Sequence, residues 1–285
     1  WNYDDTHHNW HTSLILRYLK DERQAGQMDF NPDQHALTSI YWGSETDIEK
    51  MDTYFKIGKV FPDLPYKSMG FQANYSYHNQ DSYYGLNTYK IKQNSLYFNY
   101  IYQSILTNTN HKFKTGLSFT RDLYKEYLNT TDYSRTDQSI GGFFEYNYDN
   151  GGKLSINAGL RGDHLNTWGF FVTPRLHLRY QIYEKTTLRA SIGRGLRTAN
   201  IWVENPQIFI TNRSVDILNS GDGSYGLKPE IAWNTGINLL QTYRLGDRNG
   251  SITAEYYFTR FMNQVVVDFE NARKVSIYNL DGKSV

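Results

Sequence analysis

The chain has 285 residues, a formal net charge of +1, no cysteine and 16% aromatic residues, with 25 tyrosines. Near-neutral charge gives no basis for nucleic-acid binding, and the lack of cysteine removes disulfides and thiolate metal centres. No apolar run reaches the roughly 18 residues of a transmembrane helix. A membrane barrel stays open, because its strands alternate lipid-facing and lumen-facing side chains and so average to low hydropathy.

The chain opens on a polar stretch, Trp1 to His11, that holds Asp4, Asp5, His7, His8 and His11. Imidazole and carboxylate could hold zinc, copper or iron. The spacing matches no standard site, and on a strand His7 and His11 lie too far apart to share an ion. A polar loop at a strand end is the better reading, and no metal is assigned. No basic-then-apolar leader opens the chain. Leu14 to Leu19 reads as a strand. Asp21 to Gln34 reads as a solvated connection with a turn at Asn31-Pro32-Asp33. Ala36 to Trp42 and Thr53 to Phe61 are predicted as the next strands. The prolines of Phe61-Pro62-Asp63-Leu64-Pro65 end the last of these.

From there the alternation is strong. Phe71, Ala73, Tyr75 and Tyr77 oppose Gln72, Asn74, Ser76 and His78. The same period of two recurs around residues 95–103, 112–120, 144–149, 153–161, 175–182, 187–193, 230–239 and 251–259. Each stretch predicts a strand with one apolar and one polar face. Connection lengths then separate a barrel from a sandwich. Short turns at 108–111, 149–152, 183–185 and 246–250 alternate with long connections at 78–94, 122–138, 163–173 and 195–226. This parity is that of an up-and-down barrel with its long loops on one side, and it implies about 13 strands.

The longest connection, Gly195 to Gly226, is expected to serve ligand capture or gating. Its Asn219-Ser220-Gly221-Asp222-Gly223 segment reads as freely bending. Around it lie Arg189, Arg194, Arg197, Arg213 and Lys228, which read either as an anion site or as balance for Glu204, Asp216, Asp222 and Glu230. GRGLRT lacks the Lys-Ser/Thr ending of a phosphate loop. No serine or histidine stands in a catalytic motif, so no enzyme activity is assigned. The aromatic residues of the long connections, Tyr83, Tyr84, Tyr127, Trp168, Trp202 and Phe209, suit either a ligand platform or an interfacial girdle. With Arg213 they form the candidate ligand-binding set.

A strand ending in GRGLR, a long loop, then Leu227-Lys228-Pro229-Glu230 and an amphipathic strand resembles the barrel of TonB-dependent outer-membrane receptors. Asn263 to Glu270 (NQVVVDFE) and Tyr278 to Ser284 (YNLDGKS) look like that family's next strand pair. The specific part covers about the last 120 residues, by the spacing of barrel strands. The resemblance implies an all-β, antiparallel, up-and-down transmembrane barrel in the cell outer membrane. Residues 1–285 would be part of a barrel of about 22 strands, with a plug domain and the last strands outside this chain. It also implies a transporter without cofactor or bond chemistry, set in membrane lipid. That transporter takes up a siderophore or other metal chelate, a corrinoid or an oligosaccharide, and the TonB complex energises it through the plug. Carried over, Glu230 faces the lumen and meets the plug, with Arg194 and Arg197 nearby. An outer-membrane barrel enzyme and a soluble extracellular β-sandwich are the alternatives.

Overall fold

A strand of period two needs a neighbour for every backbone group, and this chain supplies it by folding back on itself at each turn. The computed structural model describes residues 1–218 and 224–282. Its strands in chain order are β1 (Asn2–Asp5), β2 (Trp10–Gly26), β3 (Gly43–Phe61), β4 (Leu64–Tyr84), β5 (Asn87–Ile105), β6 (His111–Leu128), β7 (Thr131–Asp132) and β8 (Arg135–Asp149). They continue with β9 (Leu154–Leu165), β10 (Gly169–Tyr183), β11 (Thr186–Arg197), β12 (Ser214–Leu218), β13 (Glu230–Leu245), β14 (Arg248–Asp268) and β15 (Lys274–Asp281). Two one-turn helices, α1 (Pro32–His35) and α2 (Ile201–Glu204), interrupt them. All described strands join one sheet in the order β1-β2-β3-β4-β5-β6-β8-β9-β10-β11-β13-β14-β15-β12, with β7 on β6. Among the described strands only β12 runs parallel to its neighbour, β15. The sheet does not close among the described residues.

Register assigns the two faces. Ala73, Phe98, Phe119 and Ile140 stand in one cross-strand row with Phe71 diagonal to Phe98, and the rings stack at 6.0 Å (Phe71–Phe98) and 6.4 Å (Phe98–Phe119). Large apolar side chains on this face stay open to the surroundings: Leu117 is 64% exposed and Leu160 56%. The opposite face holds Gln72, Asn99, Ser118 and Arg161, and it also receives the segment between β11 and β13. That segment touches β4 and β5 through Phe209 and pairs with β15. Strands so distant in sheet order meet one short segment only if the polar face is concave. The apolar face is therefore the outer one, as period-two reading predicts for lipid contact.

The connections differ from the sequence expectation. The stretches 78–94 and 122–138 are not loops. β4 continues to Tyr84 and β5 begins at Asn87, so the hairpin turns at Gly85-Leu86. β6 likewise runs to Leu128. Above a bilayer both faces of a strand meet water, so the apolar signal stops while the backbone ladder goes on. β4 has 21 residues, about 70 Å of extended chain, against an apolar band about 25 Å tall. Ala36 to Trp42 is not a strand but the tip of the β2–β3 hairpin. There Phe30 packs flat on Gly43, where a Cβ would come within 2.2 Å of its ring. Asn263 to Asp268 continues β14 past an irregularity opposite Ile231, and the following strand is β15. The segments 219–223 and 283–285, including the predicted bending segment and the end of YNLDGKS, lie outside the described residues.

One pair of substitutions tests the face assignment. Leu160→Arg, on the outer face of β9, should cost about 2–4 kcal/mol if it lies near mid-bilayer. Asn157→Arg, on the concave face of the same strand, should cost far less. Equal losses in a denaturant titration of the full-length receptor folded into vesicles would mean that this face does not meet lipid.

Candidate functional site

The segment after β11 turns onto the concave face and forms an apolar knot. Ile201 and Trp202 come from α2, Ile208 and Phe209 from a single 3-10 turn opened by Pro206, and Tyr225 and Leu227 from the return to β13. Trp202 is fully buried. Its ring lies 5.0 Å from Tyr133 and meets Tyr225 edge-on at 6.2 Å. Phe209 stacks on Tyr84 at 5.1 Å and leans on Tyr89 at 4.7 Å. Asn87 Nδ2 donates to the Phe209 carbonyl at 2.9 Å. Further on, β12 adds itself to β15 and packs Val215 and Ile217 against the core that Val275 and Ile277 join.

A buried ion pair lies beneath the knot. Glu126, on the inward face of β6, is fully buried. Its Oε1 accepts the Tyr89 hydroxyl at 2.6 Å. Its Oε2 accepts the Tyr225 hydroxyl at 2.6 Å and Nη1 of Arg135. The Arg135 guanidinium is sandwiched between the rings of Tyr124 (3.9 Å) and Tyr225 (4.2 Å). Its Nη2 donates to Asn200 Oδ1 at 3.2 Å, and its Nε lies 3.4 Å from Asp137. Burial pushes the phenols of Tyr89 and Tyr225 well above the ordinary tyrosine range, and the Glu126 charge pushes the same way. For Arg135, burial disfavours the charge, but Tyr225 and Glu126 outweigh it and hold the guanidinium above its usual value. Charge and aromatic faces together therefore pin Asn200 and Tyr225, at both ends of the long segment, to the β6–β8 hairpin.

The predicted ligand residues divide. Trp202, Phe209 and Tyr84 come together, but inside the knot, so their rings present no open face. Arg213 is also committed. Its Nη1 donates to the Phe269 and Asn271 carbonyls at 2.8 and 3.2 Å, and its guanidinium lies over the Phe269 ring. Register puts Tyr83 and Tyr127 on the outer face, opposite Thr88 and Lys90. Burial, with help from Glu45, pushes the Tyr83 phenol up to about 12. Tyr127 is exposed on that face, and Trp168 sits at the β9–β10 tip. Trp168 walls a polar cleft of about 280 Å³ with Asp122, Asp137, Arg161, Asp163 and Arg197. Its indole Nε1 is buried with no acceptor among the described residues.

Arg197 and Glu230 face the concave side and pair there, with Arg197 Nε 2.9 Å from Glu230 Oε2. Glu230 Oε1 also accepts the Val265 amide at 3.1 Å. The β11–β13 register runs without a shift from Thr186 to Arg197. Strand alternation starts Arg194 on the outer face with Ile192 and Leu196, but its Nη1 donates to the Val172 carbonyl at 2.9 Å and the residue borders a cavity with Glu145, Arg161 and Arg175. At the other end of the chain, His8 pairs with Asp5 and His11 with Asp4, at 2.8 and 2.7 Å. These pairs stay separate, and no cluster suited to a metal occurs among the described residues. Glu126 and Arg135 escaped the sequence reading. The available signal was an acid flanked at two-residue steps by Tyr124 and Leu128, which places it on their face.

Comparison with known proteins bears on the whole chain. A family model described as TonB dependent receptor-like, beta-barrel, matches residues 1–285. Among solved structures, the alcaligin outer-membrane receptor FauA of Bordetella pertussis superposes with a TM-score of 0.63 at 14% identity, over 98% of this chain and 46% of its own. The hemophore receptor HasR of Serratia marcescens gives 0.61 at 14% identity, over 98% and 48%. The copper transporter OprC gives 0.60 at 12% identity, over 98% and 50%. The chain thus spans about half the length of the receptors it matches. No curated protein matches it. A partly open antiparallel sheet with its apolar face outward and its connecting segment folded onto the concave side, matched end to end by this family model, belongs to the TonB-dependent receptor β-barrel family, whose members are outer-membrane receptors and not enzymes.

Proposed function

We propose that this chain is part of the barrel of an active outer-membrane importer. Its ligand is caught at the mouth and drawn through the lumen when a TonB complex acts on a plug held inside. The carrying observation is the pairing of a rigid inward-folded segment with an open polar cleft beside it. The cleft offers an aromatic wall at Trp168 and charges of both signs at Arg161, Asp163 and Arg197. Such a surface suits a bulky polar ligand: a siderophore or other metal chelate, a corrinoid or an oligosaccharide. Arg197 and Glu230, paired on the concave side, are proposed to meet the plug. Trp202, Phe209, Tyr84 and Arg213 are proposed to serve capture indirectly, by holding the wall of the cleft in place.

Trp168→Ala in the full-length receptor should weaken ligand binding about tenfold, near 1.4 kcal/mol, with heat-resistant mobility on gels unchanged. Unchanged affinity would move the capture site elsewhere.

The latch is tested separately. Glu126→Gln removes the nearer counter-charge of Arg135 and leaves only Asp137; complete loss of a partner costs about 3–5 kcal/mol in buried pairs, and the retained Asp137 should reduce that. Hydrogen exchange in residues 198–218 should rise while the barrel strands stay protected. The double change Glu126→Leu with Arg135→Met should restore much of that protection.

Alkali should open the same latch. The raised phenols of Tyr89 and Tyr225 contribute stability that is fully present below the ordinary tyrosine value, about 10. Above it, ionisation of the released phenols favours opening, and the contribution is lost as pH climbs toward the folded-state values. Protease sensitivity of residues 198–218 should be flat from pH 7 to about 10 and rise beyond it. A flat profile through higher pH would show that the phenols do not hold the segment.

A further inference from the structure

The outer face changes character abruptly above the apolar band. On β5 it runs Tyr100, Phe98, Leu96, Asn94, Lys92, and on β6 Leu117, Phe119, Arg121, Leu123, Lys125. Lys92 and Lys125 are direct cross-strand partners, so their Cβ atoms stand about 5 Å apart. Arg121 sits four residues down the same strand, opposite Leu96 and Gln138, or about 13 Å toward the membrane. All three bases are exposed. None makes an ion pair among the described residues. Two acids flank them on this face: Asp81 is taken by Lys90 at 2.6 Å, and Asp132, opposite Tyr127, accepts the Ser134 amide at 2.8 Å. Lys92 touches only the Tyr77 ring, at 5.6 Å.

Like charges opposite each other in a ladder repel, and a guanidinium at the border of the hydrocarbon region is poorly screened. An anion that is fixed at that height would relieve both. The long hairpins project at this end, which is the outer side of a barrel of this kind. Lipid head groups are the only groups held at the top of the apolar band all round the barrel, and their phosphates accept paired hydrogen bonds from arginine and point charge from lysine. We propose that Arg121, Lys92 and Lys125 form a binding site for the phosphate-bearing head group of an outer-leaflet lipid, with its acyl chains on Phe98, Leu117 and Phe119. The site is separate from the mouth and does not rest on the transport reading.

The test uses purified full-length receptor in neutral detergent, mixed with phosphatidylglycerol or with a neutral glycolipid of the same acyl chains. Lipid retained per receptor is read by native mass spectrometry. Phosphatidylglycerol should be retained preferentially. The triple variant Lys92→Gln, Arg121→Gln, Lys125→Gln should retain it about tenfold less well, and Arg121→Lys should lie between the two. A control variant, Lys153→Gln, Lys185→Gln, Arg248→Gln, removes the same charge at the opposite end of the sheet and should behave as wild type. If the triple variant fails to show heat-resistant mobility, Lys125→Gln alone carries the test, with a smaller drop expected. Equal retention by wild type and the variant used, or an equal loss in the control, would overturn the proposal. Full displacement of the lipid by millimolar inorganic phosphate would also overturn it, since the site would then be one for a free anion.

Discussion

The buried Glu126–Arg135 pair is the constraint on which the mouth of this barrel depends. Neither charge could remain in that setting alone, because an unpaired ion in a water-poor interior is costly. Each is completed by groups from elsewhere: phenols from β5 and from the return to β13, and an amide from the start of the segment after β11. The apolar knot of Trp202 and Phe209 excludes water above this hub, and the hub fixes where the knot can sit. Burial of the aromatic side chains supplies the driving force, and the ion pair supplies the address.

Below the mouth the energetics follow a different logic. There the outer face is greasy because its solvent is hydrocarbon, and the concave face is polar. Side-chain pairs such as Arg161 with Asp163 and Glu145 with Arg175 stud the concave surface without forming a dry core. One sheet thus serves two solvents, and its backbone ladder is the element common to both. Aromatic stacks such as Phe71–Phe98–Phe119 tie neighbouring strands together on the lipid side, where the hydrophobic effect contributes nothing between them.

The fold class was legible because lipid on one side and lumen on the other force a period of two, seen plainly in Phe71 to Tyr77 and Leu154 to Leu160. Strand ends were less legible. Beyond the bilayer the constraint lapses, so the upper parts of β4, β5 and β6 read as loops while their ladders continued. Ala36 to Trp42 carried apolar residues without strand pairing, and Leu37, Ile40 and Trp42 stay exposed at the hairpin tip. The site was half legible. Its aromatic members stood out, but Glu126 and Arg135 looked like ordinary solvated charges. Their burial is created by Asn200, 65 residues from Arg135, and Tyr225, 99 residues from Glu126. No local pattern encodes a contact at that separation. Arg194 shows the converse, for strand alternation sets its backbone position on the other face from Arg197, its neighbour in sequence.

The ladder of β12 on β15 fixes which side chains of the long segment reach the core. Its register is continuous from Ser214↔Lys274 to Leu218↔Tyr278. A strand cannot slide by one residue without turning every side chain to the wrong face, so Val215 and Ile217 meet Val275 and Ile277 in this register and in no neighbouring one.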